Sequence, residues 1–149
     1  MKNNIEYIAR GVIVEDGMFL LCRGKGRKNW FFPGGHIEDG ESAPEALVRE
    51  IKEELGEEGE VVRFLGASEN KFEYKGATTH EINLVFEVAL VNKGACVSKE
   101  DHLEFQWLTR DELREAIVFP ASLRDALLVN ESKENNFWSS EGFRREFQT

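Results

Sequence analysis

Gly35-His36-Ile37-Glu38-Asp39-Gly40-Glu41, seven further residues, and then Arg49-Glu50-Ile51-Lys52-Glu53-Glu54-Leu55-Gly56 is the stretch that decides the fold of this 149-residue chain. Its second half reads as a helix opened by Ser42-Ala43-Pro44-Glu45. Ser42 can cap it, Glu45 completes a capping box, and Pro44 is tolerated because the first turn needs no backbone donor. Ala46, Leu47, Ile51 and Leu55 recur at helical spacing as an apolar stripe, and Gly56 suits the left-handed stop. On that helix Glu50, Glu53 and Glu54 stand at i, i+3 and i+4, on adjoining parts of one side. Like charges so placed repel, and a divalent cation carrying a phosphate-rich substrate would compensate them. An acidic helix alone is most simply a solvated face, and for Glu45, Glu57, Glu58 and Glu60 that reading stands. The accompanying Gly35, Glu41, Arg49 and Gly56 argue against it for the other three.

Working outward, Tyr7 to Val14 reads as a strand, Asp16-Gly17 as a hairpin turn and Met18 to Arg23 as the returning strand. A basic loop from Gly24 to Lys28 precedes the aromatic segment Trp30-Phe31-Phe32, a strand running into a tight turn at Pro33-Gly34-Gly35. Beyond the helix, strands are expected at Val61–Leu65, Ala67–Tyr74, Glu81–Val91 and Glu104–Leu108. A short helix is expected from Thr109-Arg110-Asp111-Glu112-Leu113, and a longer one over Pro120–Val129. Strands on both sides of one amphipathic helix indicate a mixed α/β layered domain. One domain is expected over residues 1–149, with 130–149 an extension whose Phe137, Trp138, Phe143 and Phe147 pack on the domain or on a partner subunit.

Hydrophobic residues at 41% and charged residues at 32% suit a soluble globular protein. No apolar run is long enough to span a bilayer, and the first residues lack the apolar core of a signal peptide. The expectation is a cytoplasmic protein with no membrane partner. A net charge of −9 argues against duplex nucleic acid as a partner, while bound cations would let an acidic protein take a polyphosphate. Cys22 and Cys96 are far apart and form no CxxC pair, so reduced thiols are expected.

The Gly35–Gly56 pattern fixes eight positions over 22 residues and resembles the signature box of the Nudix hydrolases, with Phe32-Pro33-Gly34-Gly35 leading into it. One departure is Glu57, where the family usually has an apolar residue. The resemblance implies an α/β Nudix fold, a mixed β-sheet sandwiched between α-helices. It also implies Mg2+- or Mn2+-assisted hydrolysis of a diphosphate linked to another moiety. It makes Glu53 and Glu54 metal ligands, Glu50 a ligand or the general base, and Arg49 the residue that orients Glu53. Glu41 would support the loop from behind, and a backbone carbonyl near Gly35 would complete the oxygen set. Such enzymes often draw a further acid from a loop outside the box, and here the candidates are Glu100, Asp101 and Glu104.

Candidate substrate contacts lie elsewhere. Arg23 resembles a phosphate-contacting arginine of some relatives, with a plain surface cation as the alternative. Lys25, Arg27 and Lys28 read as a solvated turn, with attraction of substrate anions as the alternative. His80 could meet a base or ribose, or be only a strand-edge residue. Phe119-Pro120-Ala121-Ser122 resembles the stretch abutting the nucleobase in the triphosphate branch, though Ser122 equally suits a helix cap. Phe31, Phe32 and Phe119 offer either stacking surface or core. The expected function is a pyrophosphohydrolase acting on a nucleoside or deoxynucleoside triphosphate. An ADP-ribose or nucleotide-sugar pyrophosphatase is the alternative, and a Nudix-fold binding module without turnover is the rival of another class. A nucleotide or other nucleoside diphosphate derivative and a second copy of the chain, as a homodimer, are the candidate partners.

Overall fold

The computed structural model describes residues 4–92, 96–129 and 135–141. Strands β1 (Asn4–Val12), β2 (Val14–Glu15), β3 (Met18–Gly24) and β4 (Gly34–His36) precede helix α1 (Ala43–Leu55). Then come β5 (Gly59–Tyr74), β6 (Ala77–Leu90), β7 (Leu103–Leu108), α2 (Arg110–Glu115), α3 (Ala121–Val129) and β8 (Phe137–Glu141). Five strands form one mixed sheet in the order β4-β1-β6-β5-β8, with β1 parallel to β6 and β8 parallel to β5. Strands β2, β3 and β7 form a second, antiparallel sheet.

Side-chain alternation splits the core in two. Ala9, Leu20, Phe86 and Val88 face Leu47, Ile51 and Leu55 of α1. Their neighbours Val12, Phe19, Leu21 and Val85 turn the other way and pack with Leu113 of α2 and Leu123 of α3. The mixed sheet therefore lies between helices, as the resemblance implies. No described helix is long and apolar enough to cross a membrane.

Several sequence expectations shift. The first strand stops at Val12, and Val14 and Glu15 pair instead with β3 in the second sheet. Asp16 and Gly17 turn the hairpin with φ of 51° and 75°. Trp30 and Phe31 form only isolated bridges, to Val118 and Cys22. The ladder comes later, where a tight turn was expected: Gly34–His36 runs antiparallel to β1. Gly34 makes this possible, because at φ 144° a Cβ would collide with the Ala9 carbonyl. Gly66 interrupts β5 by a register shift rather than a break. Strand β6 begins four residues early, because Lys75 and Gly76 both take positive φ and close a hairpin.

Candidate active site

The loop and helix of the box form as the capping chemistry dictates. The Ser42 hydroxyl accepts from the Glu45 N–H at 3.2 Å, the Glu45 carboxylate accepts from the Ser42 N–H, and Gly56 closes α1 at φ 70°. Glu41 likewise accepts from the Glu38 N–H at 3.0 Å, which closes the loop before the helix. Two turns of α1 thereby bring Arg49 back over the loop.

Arg49 is the hub. Its Nε and Nη2 donate to the two oxygens of Glu41 at 2.7 and 2.9 Å, a bidentate pair. Nη1 donates to Glu50 at 3.0 Å and to Glu53 at 3.3 Å, and Nη2 also reaches the His36 carbonyl at 3.2 Å. The guanidinium holds the Glu41 carboxyl down at about 2, and Glu41 in turn raises the Arg49 pKa. Gly35 lies against the Glu50 carboxyl so closely that a Cβ would stand 2.5 Å from its carbon.

Glu54 differs from its neighbours. It is 7% exposed, and its Oε2 is buried without a hydrogen-bond partner. Burial, and then the adjacent Glu50 carboxylate, push its pKa well above the usual carboxylate range. Among the described residues no three acidic, His or Cys side chains are already gathered as a metal cage. Arg49 draws Glu50 and Glu53 toward itself, while Glu54 turns inward. The donor set nevertheless fits a hard divalent cation. It is all oxygen, it is crowded with like charge, and it contains an unsatisfied buried carboxyl oxygen.

Among the expected outer acids, Glu100 comes to the site. The Lys99 N–H donates to the Glu54 carbonyl at 2.7 Å, and the Glu100 charge adds to the upward push on Glu54. Glu104 is instead ion-paired with Arg23, whose guanidinium lies 4.2 Å from the Trp30 ring centre. Asp101 is exposed in the turn before β7.

The expected base contacts separate. Phe32 is 1% exposed and belongs to the core, so its ring cannot stack on a ligand. Phe31 is half-buried, with the Arg10 guanidinium 5.7 Å from its ring centre. His80 pairs with Glu69 at 2.8 Å, and its place in β6 puts it on the opposite sheet face from Ser122. One small ligand cannot touch both. Ser122 lies inside α3 rather than capping it; its Oγ is 3.4 Å from that of Ser68, and its N–H donates to Glu141 of β8 at 2.7 Å. Of the tail aromatics, Phe137 packs on the core and Trp138 is exposed, while Phe143 and Phe147 lie outside the described residues. Cys22 and Cys96 are free and buried, and burial raises both thiol pKa values, that of Cys96 to about 11.

Spacing does not announce the polar side chains beside the site: buried Ser68, Asn70 and Asn83, and partly exposed Arg10 and Glu81. The one signal was a lone polar residue within an apolar strand run, as in Ile8-Ala9-Arg10-Gly11-Val12 and Ile82-Asn83-Leu84-Val85.

Comparison with known proteins agrees with this geometry. A NUDIX domain model matches residues 7–130. Nucleoside triphosphatase NudI of Salmonella typhimurium is 32% identical over 114 residues, covering 68% of this chain and 80% of that protein. Putative nudix hydrolase 1 of Caenorhabditis elegans is 38% identical over 76 residues, 44% of this chain, and the chain spans only 20% of that protein's length. The MutT protein of Bacillus halodurans superposes with a TM-score of 0.71 at 20% identity, over 91% of this chain and 88% of its own. A box held by one arginine, a mixed sheet between helices and a domain match over most of the sequence converge: the chain belongs to the Nudix hydrolase family, which acts on pyrophosphate bonds.

Proposed function

We propose that the chain hydrolyses a nucleoside or deoxynucleoside triphosphate, with water, to the monophosphate and pyrophosphate. The observation that carries this reading is the partnerless carboxyl oxygen of Glu54, buried beside Glu50 over Gly35 and bordered by the Arg49 clamp. A protein keeps such an uncompensated group where function requires it. The 32% identity to a nucleoside triphosphatase over four-fifths of its length favours a triphosphate over other diphosphates.

Glu50, Glu53 and Glu54, with the Gly35 carbonyl, are the groups that would hold Mg2+ or Mn2+. Such an ion, when bound, supplies charge neutralisation for the diphosphate and a more acidic water. The protein's own residues do the rest. Arg49 fixes the carboxylates so that little reorganisation remains at the moment of reaction. Glu50, hydrogen-bonded to Arg49 and close to Gly35, is placed to accept the proton of the attacking water. Glu41 acts through Arg49, locking its guanidinium plane. Glu54, buried beside Glu50, would present its carboxylate to that ion, whose charge would offset the repulsion between the two carboxylates.

A nucleotide panel assayed with and without Mg2+ tests this. Triphosphates should be cleaved to pyrophosphate only with the metal, and Glu53→Gln should abolish cleavage while nucleotide binding persists. Cleavage of ADP-ribose or a nucleotide sugar with triphosphates untouched would move the assignment to those substrates. Binding with no turnover of any compound would make the protein a binding module.

A further inference from the structure

A chain of four polar side chains crosses the mixed sheet beside the site. Arg10 Nε donates to Asn83 Oδ1 at 3.2 Å, Asn83 Nδ2 donates to Asn70 Oδ1 at 3.2 Å, and Asn70 Nδ2 donates to Glu81 at 3.3 Å. Asn70 and Asn83 are fully buried, whereas Arg10 and Glu81 at the two ends are partly exposed. A guanidinium can only donate and a carboxylate can only accept, so both amides are fixed in one orientation along the chain. Arg10 also donates to the Phe32 carbonyl at 3.1 Å, which holds the head of the chain.

Strand pairing does not need this arrangement. The β5–β6 ladder is already continuous on both sides of Ser68–Asn83 and Asn70–Glu81. Apolar side chains would fill the same space without the desolvation cost of two charged ends. The two ends also connect places that matter. Arg10 feels the charges of Glu54 and Glu50 as well as that of Glu81, so the head of the chain neighbours the box carboxylates without a hydrogen bond to them among the described contacts. Beside Glu81, Phe72 follows Asn70 on the same face of β5 and meets Phe119 edge to face at 6.2 Å between ring centres. An aromatic wall next to an acceptor-only group has the chemistry to receive a flat, hydrogen-bonding ring.

We infer that Glu81 reads the base of the bound nucleotide, accepting a hydrogen bond from an exocyclic amino group, with Arg10, Asn83 and Asn70 positioning its carboxylate. The inference rests on the reading of this chain as a nucleotide hydrolase. Cytosine presents an amino group where uracil presents a carbonyl, on rings of equal size. Uracil's single imide N–H lies between two carbonyl oxygens, so a carboxylate that meets it faces an acceptor on either side. A site built around an acceptor rejects such a ligand because buried polar groups are left unpaired.

Calorimetric titration of the full chain with CMP and UMP, and steady-state hydrolysis of CTP and UTP with Mg2+, test this in wild type and in Glu81→Gln. Wild type should bind CMP about tenfold tighter than UMP, with the same preference in kcat/KM for the triphosphates. A carboxamide can donate as well as accept, so Glu81→Gln should bring the ratio to within about threefold of one. Equal binding of CMP and UMP by wild type would overturn the inference, and needs no variant to fold. An unchanged ratio in folded Glu81→Gln would also overturn it, leaving the four residues a structural tie. If neither triphosphate is cleaved while the monophosphate preference is present and lost in the variant, the hydrolase reading fails and the base reading stands. Cleavage of both triphosphates without preference gives the reverse.

Discussion

Arg49 concentrates the electrostatics of the box in one guanidinium. It spans Glu41 with a fork and reaches Glu50 and Glu53 with its third nitrogen, a geometry no ammonium can copy. We therefore expect Arg49→Lys to lower kcat by about 10²-fold, with a smaller change in KM, in steady-state assays with Mg2+. Glu54 makes a prediction of opposite sign for stability. Glu54→Gln removes the cost of protonating a buried carboxyl beside Glu50 and gives Glu50 an N–H donor, so the metal-free protein should melt about 2–4 °C higher while turnover is lost. Differential scanning calorimetry without metal checks the first part, and a drop in melting temperature would contradict it. These box residues were legible because they sit three and four apart on one helix, where spacing alone brings side chains together. Arg10 and Asn83 were not, because their contact joins residues 73 positions apart and follows only from β1 lying parallel to β6. Phe32 and Phe31 show the same limit: neighbours in sequence, they were separable into core and surface only once the chain had a direction.

Among the elements, α1 depends on the glycines that precede it. Gly34→Ala would drive a Cβ into the Ala9 carbonyl at a φ that side chains rarely adopt. It should cost more than about 3 kcal/mol in chemical denaturation, or prevent folding. The smaller capping box at α2, where Thr109 accepts from the Glu112 N–H at 3.2 Å, is worth less. Thr109→Ala should destabilise by about 1 kcal/mol and leave kcat unchanged. The capping box of α1 and the helix start at Thr109 could be read locally because each joins residues three apart; the Thr109–Glu112 box itself emerges in the structure. β4 could not, since Pro33-Gly34-Gly35 satisfies the composition of a turn, and only the close approach to β1 makes it a strand. The same holds for Lys75-Gly76, where lysine takes a left-handed conformation that its type does not advertise.

For the molecule as a whole, acid acts first through the box loop. The Arg49 hydrogen bonds, and then the Glu38 N–H, lower the folded pKa of Glu41 to about 2 from 4.5. A lowered folded pKa binds fewer protons than the unfolded chain, so the stabilisation is complete above pH 4.5 and is lost as pH falls toward 2. Wild type should melt above Glu41→Gln at neutral pH, and the two melting curves should converge over that interval. β8 ties the far side of the fold together. It extends the mixed sheet at β5, inserts Phe137 into the core and caps the start of α3 through Glu141. The acidic box is thus complete within residues 35–56, whereas the face carrying Ser68 and Ser122 is closed by a strand that begins at Phe137. During synthesis the ribosome releases the acidic box long before the strand that pairs with β5 at the sheet's other edge. A nascent chain halted after α3 would therefore carry the whole box while the edge of β5 and the start of α3 lacked β8.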